Sequence, residues 1–374
     1  MRNAFRTGLC DLLGIEYPIL QSGMGGVAGP DLVAEVSRAG GLGILAGLNL
    51  PTDELCRRIR QVRELTDRPF GVNLWLHAEL RPPVDVARIP DDSVRAVQSQ
   101  LNRFRERLDL PTTLARPSGV PDLIDAAFEV ILEERVPVWS IGLGDPGPEM
   151  VRRCRERGIK VIAMVATVED ARAVVASGVD AIVAQGGEAG GHRSTWVRGP
   201  SRDAANVGTM ALVPQVVDAV DLPVVAAGGI ADGRGLVAAI ALGATGILLG
   251  TRFVATRESA AAEFWKKAIL ERDSEATTVS DAVTGLYSRF LRNTFIEEYA
   301  ASGAPVFPAL VQHLAAQDIF AEGNRRQDAE YVPMATGQSV GLIHDLPGAG
   351  DVVHAIVREA CAVMAALPRR ARVT

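Results

Sequence analysis

Lysine is scarce in this chain of 374 residues, in which it occurs only at Lys160, Lys266 and Lys267. None of the three follows an apolar strand-like run, the place where catalytic side chains of α/β enzymes collect. A mechanism that forms a Schiff base on lysine is therefore not expected.

Cysteine is equally rare, and Cys10, Cys56, Cys154 and Cys361 are far apart and form no CxxC pair. This spacing argues against a zinc site and a disulfide framework and is typical of reduced thiols. No cysteine follows a strand-like run, which argues against a catalytic thiolate. The His, Asp and Glu residues also lack metal-ligand spacing, so no metal is expected.

Basic charge and long apolar runs are lacking as well. The net charge of -6 gives no electrostatic footprint for nucleic acid or an anionic membrane. The most apolar run, Leu236 to Leu249, is interrupted by glycines and is too short to span a bilayer. The start, Met1 to Arg6, carries no apolar signal segment. We therefore expect a cytoplasmic protein without nucleic-acid or membrane partners.

What the chain does contain is an alternation of short apolar runs with amphipathic segments. Eight runs are predicted to be strands: Tyr17–Gln21, Leu42–Ala46, Phe70–Leu74, Val136–Ile141, Lys160–Val165, Asp180–Ala184, Pro223–Ala227 and Gly246–Leu249. Predicted helices include Asp31–Ala39, Thr52–Leu65, Glu149–Arg157, Val168–Ser177, Ala211–Val220 and Gly233–Leu242. This order indicates a parallel sheet with right-handed crossovers. Eight strands predict a (β/α)8 TIM barrel, and a doubly wound open sheet is the alternative.

Two stretches do not follow the repeat and predict a smaller, mostly helical cap domain made of insertions. We assign residues 1–75 and 121–270 to the barrel, with 342–368 packing back on it. Residues 76–120, with a charged helix around Asp92–Leu108, and residues 271–341 form the cap segments. The tail, residues 369–374, is predicted to be disordered.

The run from Ala184 to Arg193 reads Ala-Gln-Gly-Gly-Glu-Ala-Gly-Gly-His-Arg and follows the sixth predicted strand. Glycines allow the backbone to approach a ligand closely, and His192 could exchange a proton near neutral pH. The alternative is a flexible surface loop with a solvated histidine. The position after a barrel strand favours an active site, with His192 as the catalytic residue.

Glycines also follow the seventh and eighth predicted strands. Gly228 and Gly229 follow the seventh strand. Leu249 ends the eighth strand, and Gly250 and Thr251 follow it. Phosphate is often bound at these two loops of a barrel, by backbone N–H groups. The sequence therefore predicts a phosphate site, with tight turns as the alternative.

Two further places at the same end of the barrel are candidates for contact with a flat heterocycle. Met24, Gly25 and Gly26 follow the first strand, and Asn73 ends the third. An amide side chain could bond a ring edge, and a methionine beside glycines could support a ring face. Each of these is also compatible with packing or a turn.

Other motifs carry less weight. The run Gly142 to Gly147 matches GxGxxG, but Pro146 removes an amide donor that a dinucleotide phosphate would need. The remaining histidines are isolated and are predicted to be solvated or structural: His77, His313, His344 and His354. Trp75 and Trp196 flank the predicted mouth of the barrel, where they could line a pocket or pack in the core.

These motifs resemble the nitronate monooxygenase family, which consists of FMN-dependent (β/α)8-barrel flavoproteins. The resemblance runs from Tyr17–Gln21 through Ala39–Gly43 to Gly250–Phe253 and reappears at Gly337–Ser339. The same superfamily includes FMN-dependent enoyl-acyl-carrier-protein reductases and NAD(P)H-dependent flavin oxidoreductases. The run with His192 is specific to the superfamily rather than to one of its reactions.

The resemblance implies a role for each matching residue. His192 would be the catalytic histidine over the flavin of FMN. Cofactor contacts would come from Met24, Gly25, Gly26, Asn73, Gln185, Gly190, Gly228, Gly229, Leu249, Gly250 and Thr251. Many family members have glycine after the His-Arg pair, whereas this chain has Ser194, beside the substrate site.

The implied reaction is FMN-dependent oxidation of alkyl nitronates or nitroalkanes with O2 to a carbonyl compound and nitrite. His192 would stabilise the nitronate as imidazolium or abstract the α-proton of a nitroalkane. One alternative is an NAD(P)H-dependent FMN reductase of enoyl thioesters or quinones, and another is a flavin-binding protein without turnover. The expected partner is a small-molecule substrate, and a homodimer is left open.

Overall fold

The computed structural model describes residues 5–197, 201, 203 and 205–370. Eight parallel strands form one sheet: β1 Ile19–Gln21, β2 Gly43–Ala46, β3 Phe70–Trp75, β4 Val138–Gly142, β5 Lys160–Val165, β6 Ala181–Gln185, β8 Val224–Ala227 and β9 Gly246–Leu249. Their order in the sheet is β1-β9-β8-β6-β5-β4-β3-β2, and strand β7, Gly191–His192, belongs to a second sheet. A parallel bridge between Leu20 and Leu42 joins β1 to β2. The predicted TIM barrel is thus confirmed, and the open sheet is not observed.

The barrel interior is filled by alternate side chains of the strands. Leu20, Ile44, Val138 and Ile162 belong to this inner cluster, and Leu9 of the first helix packs against it at the amino-terminal end. The opposite faces of the same strands contact the surrounding helices. Burial on both faces explains why the strands read as continuous apolar runs in the sequence.

A ring of helices surrounds the strands, and most of its members follow their strand directly. Further helices lie at the amino-terminal end of the barrel and in the inserted segments. The helices are α1 Gly8–Leu13, α2 Pro30–Arg38, α3 Thr52–Leu65, α4 Asp91–Arg107, α5 Ile124–Glu133, α6 Gly147–Arg155, α7 Val168–Ala176, α8 Thr209–Ala219, α9 Gly233–Ala241, α10 Thr251–Val254, α11 Glu263–Glu271, α12 Thr294–Ser302, α13 Val311–Arg326 and α14 Ala349–Arg370. After β9 comes only the short α10, and α14 packs against α9 and α2 instead. The end of the described chain therefore fills the last position of the ring.

The inserted segments form a second hydrophobic cluster beside the barrel. The Phe104 ring of α4 lies 4.8 Å from Phe295 of α12, and Phe295 lies 4.9 Å from Phe320 of α13. Residues 271–341 were predicted to be mostly helical, but they also contain two antiparallel strands, β10 Thr277–Ser280 and β11 Ser288–Leu291. A further strand, β7 Gly191–His192, pairs with β11. The division into barrel and cap domains stays a prediction.

Part of the tail that was predicted to be disordered belongs to a helix. Helix α14 extends to Arg370, so the tail predicted from residue 369 starts inside a helix, and residues 371–374 lie outside the described residues. No helix in the described part of the chain is long and apolar enough to cross a membrane. The four cysteines are free and lie on helices.

Candidate active site

A cavity of about 250 Å³ opens where the carboxyl ends of the barrel strands meet. Eleven of the twelve predicted site residues line it: Met24, Gly25, Asn73, Gln185, Gly190, His192, Gly228, Gly229, Leu249, Gly250 and Thr251. The twelfth, Gly26, lines only the neighbouring cavity. The structure therefore brings together residues that are separated by more than 200 positions in the sequence.

A second cavity of about 660 Å³ adjoins the first on the side of α13 and the segment before α11. We call the first the inner cavity and the second the outer cavity. They share Gly23, Gly25, Asn73, Trp75, His192 and Trp265. His192 therefore lies at the boundary between them.

One end of the inner cavity presents unpaired backbone N–H groups. Gly228 and Gly229 have φ of 103° and 70°, and a Cβ at Gly228 would lie 2.9 Å from Thr209 Oγ1, so glycine is required there. Within the described residues, the N–H groups of Gly228, Gly229 and Thr251 donate to no protein acceptor. Convergent N–H groups of this kind favour an anion.

The cavity is also lined by two amide side chains with different hydrogen-bonding roles. Asn73 Nδ2 donates to Ser140 O and Ser140 Oγ, at 3.1 Å each, which leaves its carbonyl oxygen as an available acceptor. Gln185 Nε2 donates to His192 O and its Oε1 accepts from Ser194 N, at 2.9 Å each. Gln185 therefore lines the cavity but also fixes the backbone on both sides of Arg193.

His192 is not on a flexible loop, because both its backbone and its ring are fixed. It pairs with Ser288 across β7 and β11. Its Nε2 lies 2.9 Å from Thr284 Oγ1, and its ring centroid lies 4.4 Å from that of Trp75 at an interplanar angle of 62°. The flexible-surface interpretation of this run is thus wrong.

Burial changes the protonation of His192. Desolvation lowers the pKa of His192 to about 3, and His77, His313 and Arg193 add to the effect. Part of the ring surface is open to the two cavities. The imidazole is therefore neutral at neutral pH before a ligand binds, which disfavours a resident imidazolium.

Two buried arginines hold the glycine-rich loop from outside the cavity. Arg193 donates to Gly186 O at 2.8 Å and Ala189 O at 2.7 Å, and burial lowers the pKa of Arg193 to about 10. Arg289 of β11 donates to Gly187 O through Nε and a terminal nitrogen, at 3.1 and 2.8 Å. The loop carbonyls thus point toward positive charge.

Sequence reasoning missed several site residues. Thr284 and His313 line the outer cavity, and His313 had been interpreted as isolated. Their sequence neighbourhoods carry no glycine-pair or strand-end signal, and only the tertiary fold brings them to His192. Ser22, Gly23, Met164, Trp265 and Ser339 are further lining residues that were not predicted.

Most of the other residues singled out in the sequence lie outside the inner cavity. His344 and His354 are exposed, as predicted, and His77 is fully buried, with Nδ1 accepting from Glu79 N at 3.2 Å. Trp75 lines both cavities and Trp196 lines neither. The GxGxxG run contributes only Gly142 and Leu143 to the inner cavity. The part of the chain that the structure covers holds no cluster of three or more His, Cys, Asp or Glu suited to a metal.

An α/β barrel with joined cavities at the carboxyl ends of its strands defines an enzyme of the TIM-barrel class. Within that class the chain belongs to the nitronate monooxygenase family, because the model of this family matches residues 6–359. The protein is therefore an oxidoreductase of that family.

Similar proteins agree with this assignment. The probable nitronate monooxygenase of Staphylococcus saprophyticus is 35% identical over 358 residues, which cover 96% of this chain and 98% of the relative. A nitroalkane oxidase structure from Streptomyces ansochromogenes is 35% identical with a TM-score of 0.86, over 96% of this chain and all (100%) of the other. FabK from Thermotoga maritima is 33% identical with a TM-score of 0.76, over 98% and 99% of the two chains.

Proposed function

We propose that this enzyme uses FMN to oxidise alkyl nitronates, and the nitroalkanes from which they form, with O2 to a carbonyl compound and nitrite. The observation that carries the proposal is the position of His192 at the boundary of the inner and outer cavities. A group at that boundary can touch both a cofactor in one cavity and a substrate in the other. Membership of the nitronate monooxygenase family supports the same reaction.

The inner cavity fits FMN in the chemistry of its walls. Gly228, Gly229 and Thr251 offer free N–H groups for a phosphate, and Asn73 keeps an acceptor for a ring N–H. A Cβ at Gly25 would meet nothing within 4 Å, so its backbone can lie flat against a ring, beside Met24. Bound FMN would supply the redox chemistry, which no side chain of this site can supply.

His192 serves as the proton acceptor for a neutral nitroalkane. Its lowered pKa keeps the imidazole unprotonated in the free enzyme. Once the α-proton has moved to the ring, the imidazolium faces the nitronate, and this pairing of opposite charges raises the pKa of His192 again. A preformed nitronate gains the same partner when the ring takes a proton from solvent.

The proposal is tested by replacing His192→Ala and measuring oxygen uptake. With a neutral nitroalkane we expect kcat/KM to fall about 10²–10⁴-fold, because general-base help is lost. With the preformed nitronate we expect a smaller loss. His354→Ala, at an exposed position on α14, is the control and should behave as wild type.

The FMN content of both variants, measured by absorbance, should match that of wild type. Wild-type turnover of nitroalkane by His192→Ala would overturn the role of the histidine. The comparisons do not favour the reductase alternative. Adding NADH to the anaerobic enzyme tests it directly: rapid flavin bleaching without nitronate-driven oxygen uptake would replace our proposal by a reductase.

A further inference from the structure

We propose that Thr284 is a positioning residue that fixes the tautomer of His192, with the hydrogen on Nε2 and Nδ1 left as the proton acceptor for substrate. Nothing in the sequence of the His192 run points to Thr284, which lies 92 positions further along the chain. The catalytic consequence rests on the proposed function, whereas the tautomer itself does not.

The hydrogen bonds of the Thr284 hydroxyl decide the direction. Oγ1 lies 2.9 Å from His192 Nε2, 3.2 Å from Leu286 O and 3.4 Å from Leu286 N. A hydroxyl donates one hydrogen and accepts at two lone pairs. If it donates to Leu286 O, it accepts from both Leu286 N–H and His192 Nε2–H, so all three contacts are satisfied. If the hydroxyl donated to Nε2 instead, the carbonyl oxygen of Leu286 would lose its hydrogen bond from Thr284.

The backbone around Thr284 is fixed by the cap segments. Thr284 O accepts from Leu310 N at 2.7 Å, and Gly285 N donates to Asp281 O at 2.8 Å. Gly285 has a φ of 80°, and a Cβ there would lie 2.2 Å from Phe307 O, so only glycine is tolerated. The turn between β10 and β11 therefore holds Thr284 in place, while β11 pairs with the strand that carries His192.

The other groups that face His192 do not select a tautomer. The titratable and charged groups acting on it are His77, His313 and Arg193, and each disfavours the imidazolium. The rings of Trp75 and His192 meet in an edge-to-face arrangement. The Thr284 hydroxyl is thus the neutral partner that distinguishes the two ring nitrogens, in the way that a carbonyl or carboxylate does in other histidine sites.

The first test reads the tautomer without turnover. The FMN-loaded enzyme, labelled with ¹⁵N-histidine, has five histidines, and comparison with His192→Gln assigns the signals of His192. We expect a protonated Nε2 and an unprotonated Nδ1 near pH 7 in wild type and in Thr284→Ser. In Thr284→Val, which keeps the shape but removes the hydroxyl, we expect a mixture of tautomers. A protonated Nδ1 in wild type, or an unchanged tautomer in Thr284→Val, would overturn the proposal.

The second test measures oxygen uptake with a neutral nitroalkane. We expect kcat of Thr284→Val to fall at least about tenfold with KM changed less than threefold, and Thr284→Ser to recover most of kcat, as positioned proton transfer requires. Thr278→Val removes a hydroxyl from β10 outside both cavities and serves as the matched control. Equal losses in Thr284→Val and Thr284→Ser would contradict a role of the hydroxyl. If no variant, wild type included, turns over nitroalkane or nitronate, the proposed function fails while the tautomer result still stands.

Discussion

Ser194 stands where the resemblance led us to expect glycine after the His-Arg pair. It lines the inner cavity, but its hydroxyl forms hydrogen bonds inside the protein. Ser194 Oγ donates to Met164 O at 2.8 Å and accepts from Leu143 N at 3.1 Å. Leu143 has a φ of 61°, a conformation that a leucine adopts only when its surroundings hold it there. Ser194 thus connects the ends of β4 and β5 to the segment that carries His192.

We therefore predict that Ser194→Ala weakens folding without changing substrate preference. Removing the hydroxyl leaves a buried N–H and a carbonyl without a partner, which costs about 1–3 kcal/mol of unfolding free energy. Urea unfolding measures this cost, with exposed Ser99→Ala on α4 as the control. A change in the relative kcat/KM for two different nitronates would instead place Ser194 in contact with substrate.

At the scale of elements, the short strands β7, β10 and β11 connect the cap segments to the catalytic loop. Arg289 of β11 donates to Gly187 O and also to Thr277 Oγ1 at 3.1 Å. A lysine side chain ends in a single ammonium group and cannot make these three hydrogen bonds together, as the planar guanidinium of arginine does. Because Gly187 lies in the loop that leads to Gly190 and His192, losing the contacts loosens one wall of the inner cavity.

We predict that Arg289→Lys raises the Kd of FMN about tenfold or more, since hydrogen bonds from a charged donor contribute about 1.5–3 kcal/mol. Fluorescence titration of apoenzyme with FMN measures this change. Arg292→Lys changes an arginine whose side chain is about half exposed and pairs with Glu297, and it should bind FMN as wild type does. Equal Kd values for Arg289→Lys and wild type would show that the loop keeps its shape without the guanidinium of Arg289.

The same elements mark how far the sequence could predict the structure. The eight barrel strands begin and end within two residues of their predicted bounds, because each is a continuous apolar run with glycine, proline or polar residues beside it. Strand β7 has two residues and pairs with β11 almost 100 positions away. Such a strand has no local apolar pattern, so the sequence presented His192 as part of a loop.

The candidate site was likewise predicted only in part. Strand-end residues, together with the family resemblance, predicted eleven residues of the inner cavity, because barrel topology places all strand ends at one mouth. The outer cavity depends on α13 and the segment around Val332, whose contacts with the barrel are purely tertiary. Thr284 and His313 therefore escaped prediction, although both lie close to His192.

At the scale of the whole molecule, the outer cavity lies where the inserted segments meet the barrel, and among the described residues no Asp, Glu, Lys or Arg lines it. Its walls combine apolar side chains with amides and two imidazoles: Leu48, Phe264, Leu310, Phe320, Val332, Asn49, Gln317, Asn324, His192 and His313. A carboxylate entering such a cavity would lose hydration and gain no cation in exchange. An uncharged alkyl chain loses nothing comparable and buries apolar surface.

We therefore predict that a nitronate with an unsubstituted alkyl chain is a better substrate than one of equal length that ends in a carboxylate. The expected difference in kcat/KM is at least about tenfold, equivalent to about 1.4 kcal/mol. Gln317→Arg places a cation on the exposed wall of the cavity and should narrow this difference. Ala300→Arg adds the same charge on the exposed face of α12, away from both cavities, and should leave it unchanged. If the wild-type enzyme oxidises the carboxylated nitronate as fast as the alkyl one, the absence of charge from the cavity walls does not govern substrate choice, and the carboxylate must remain in solvent at the cavity mouth.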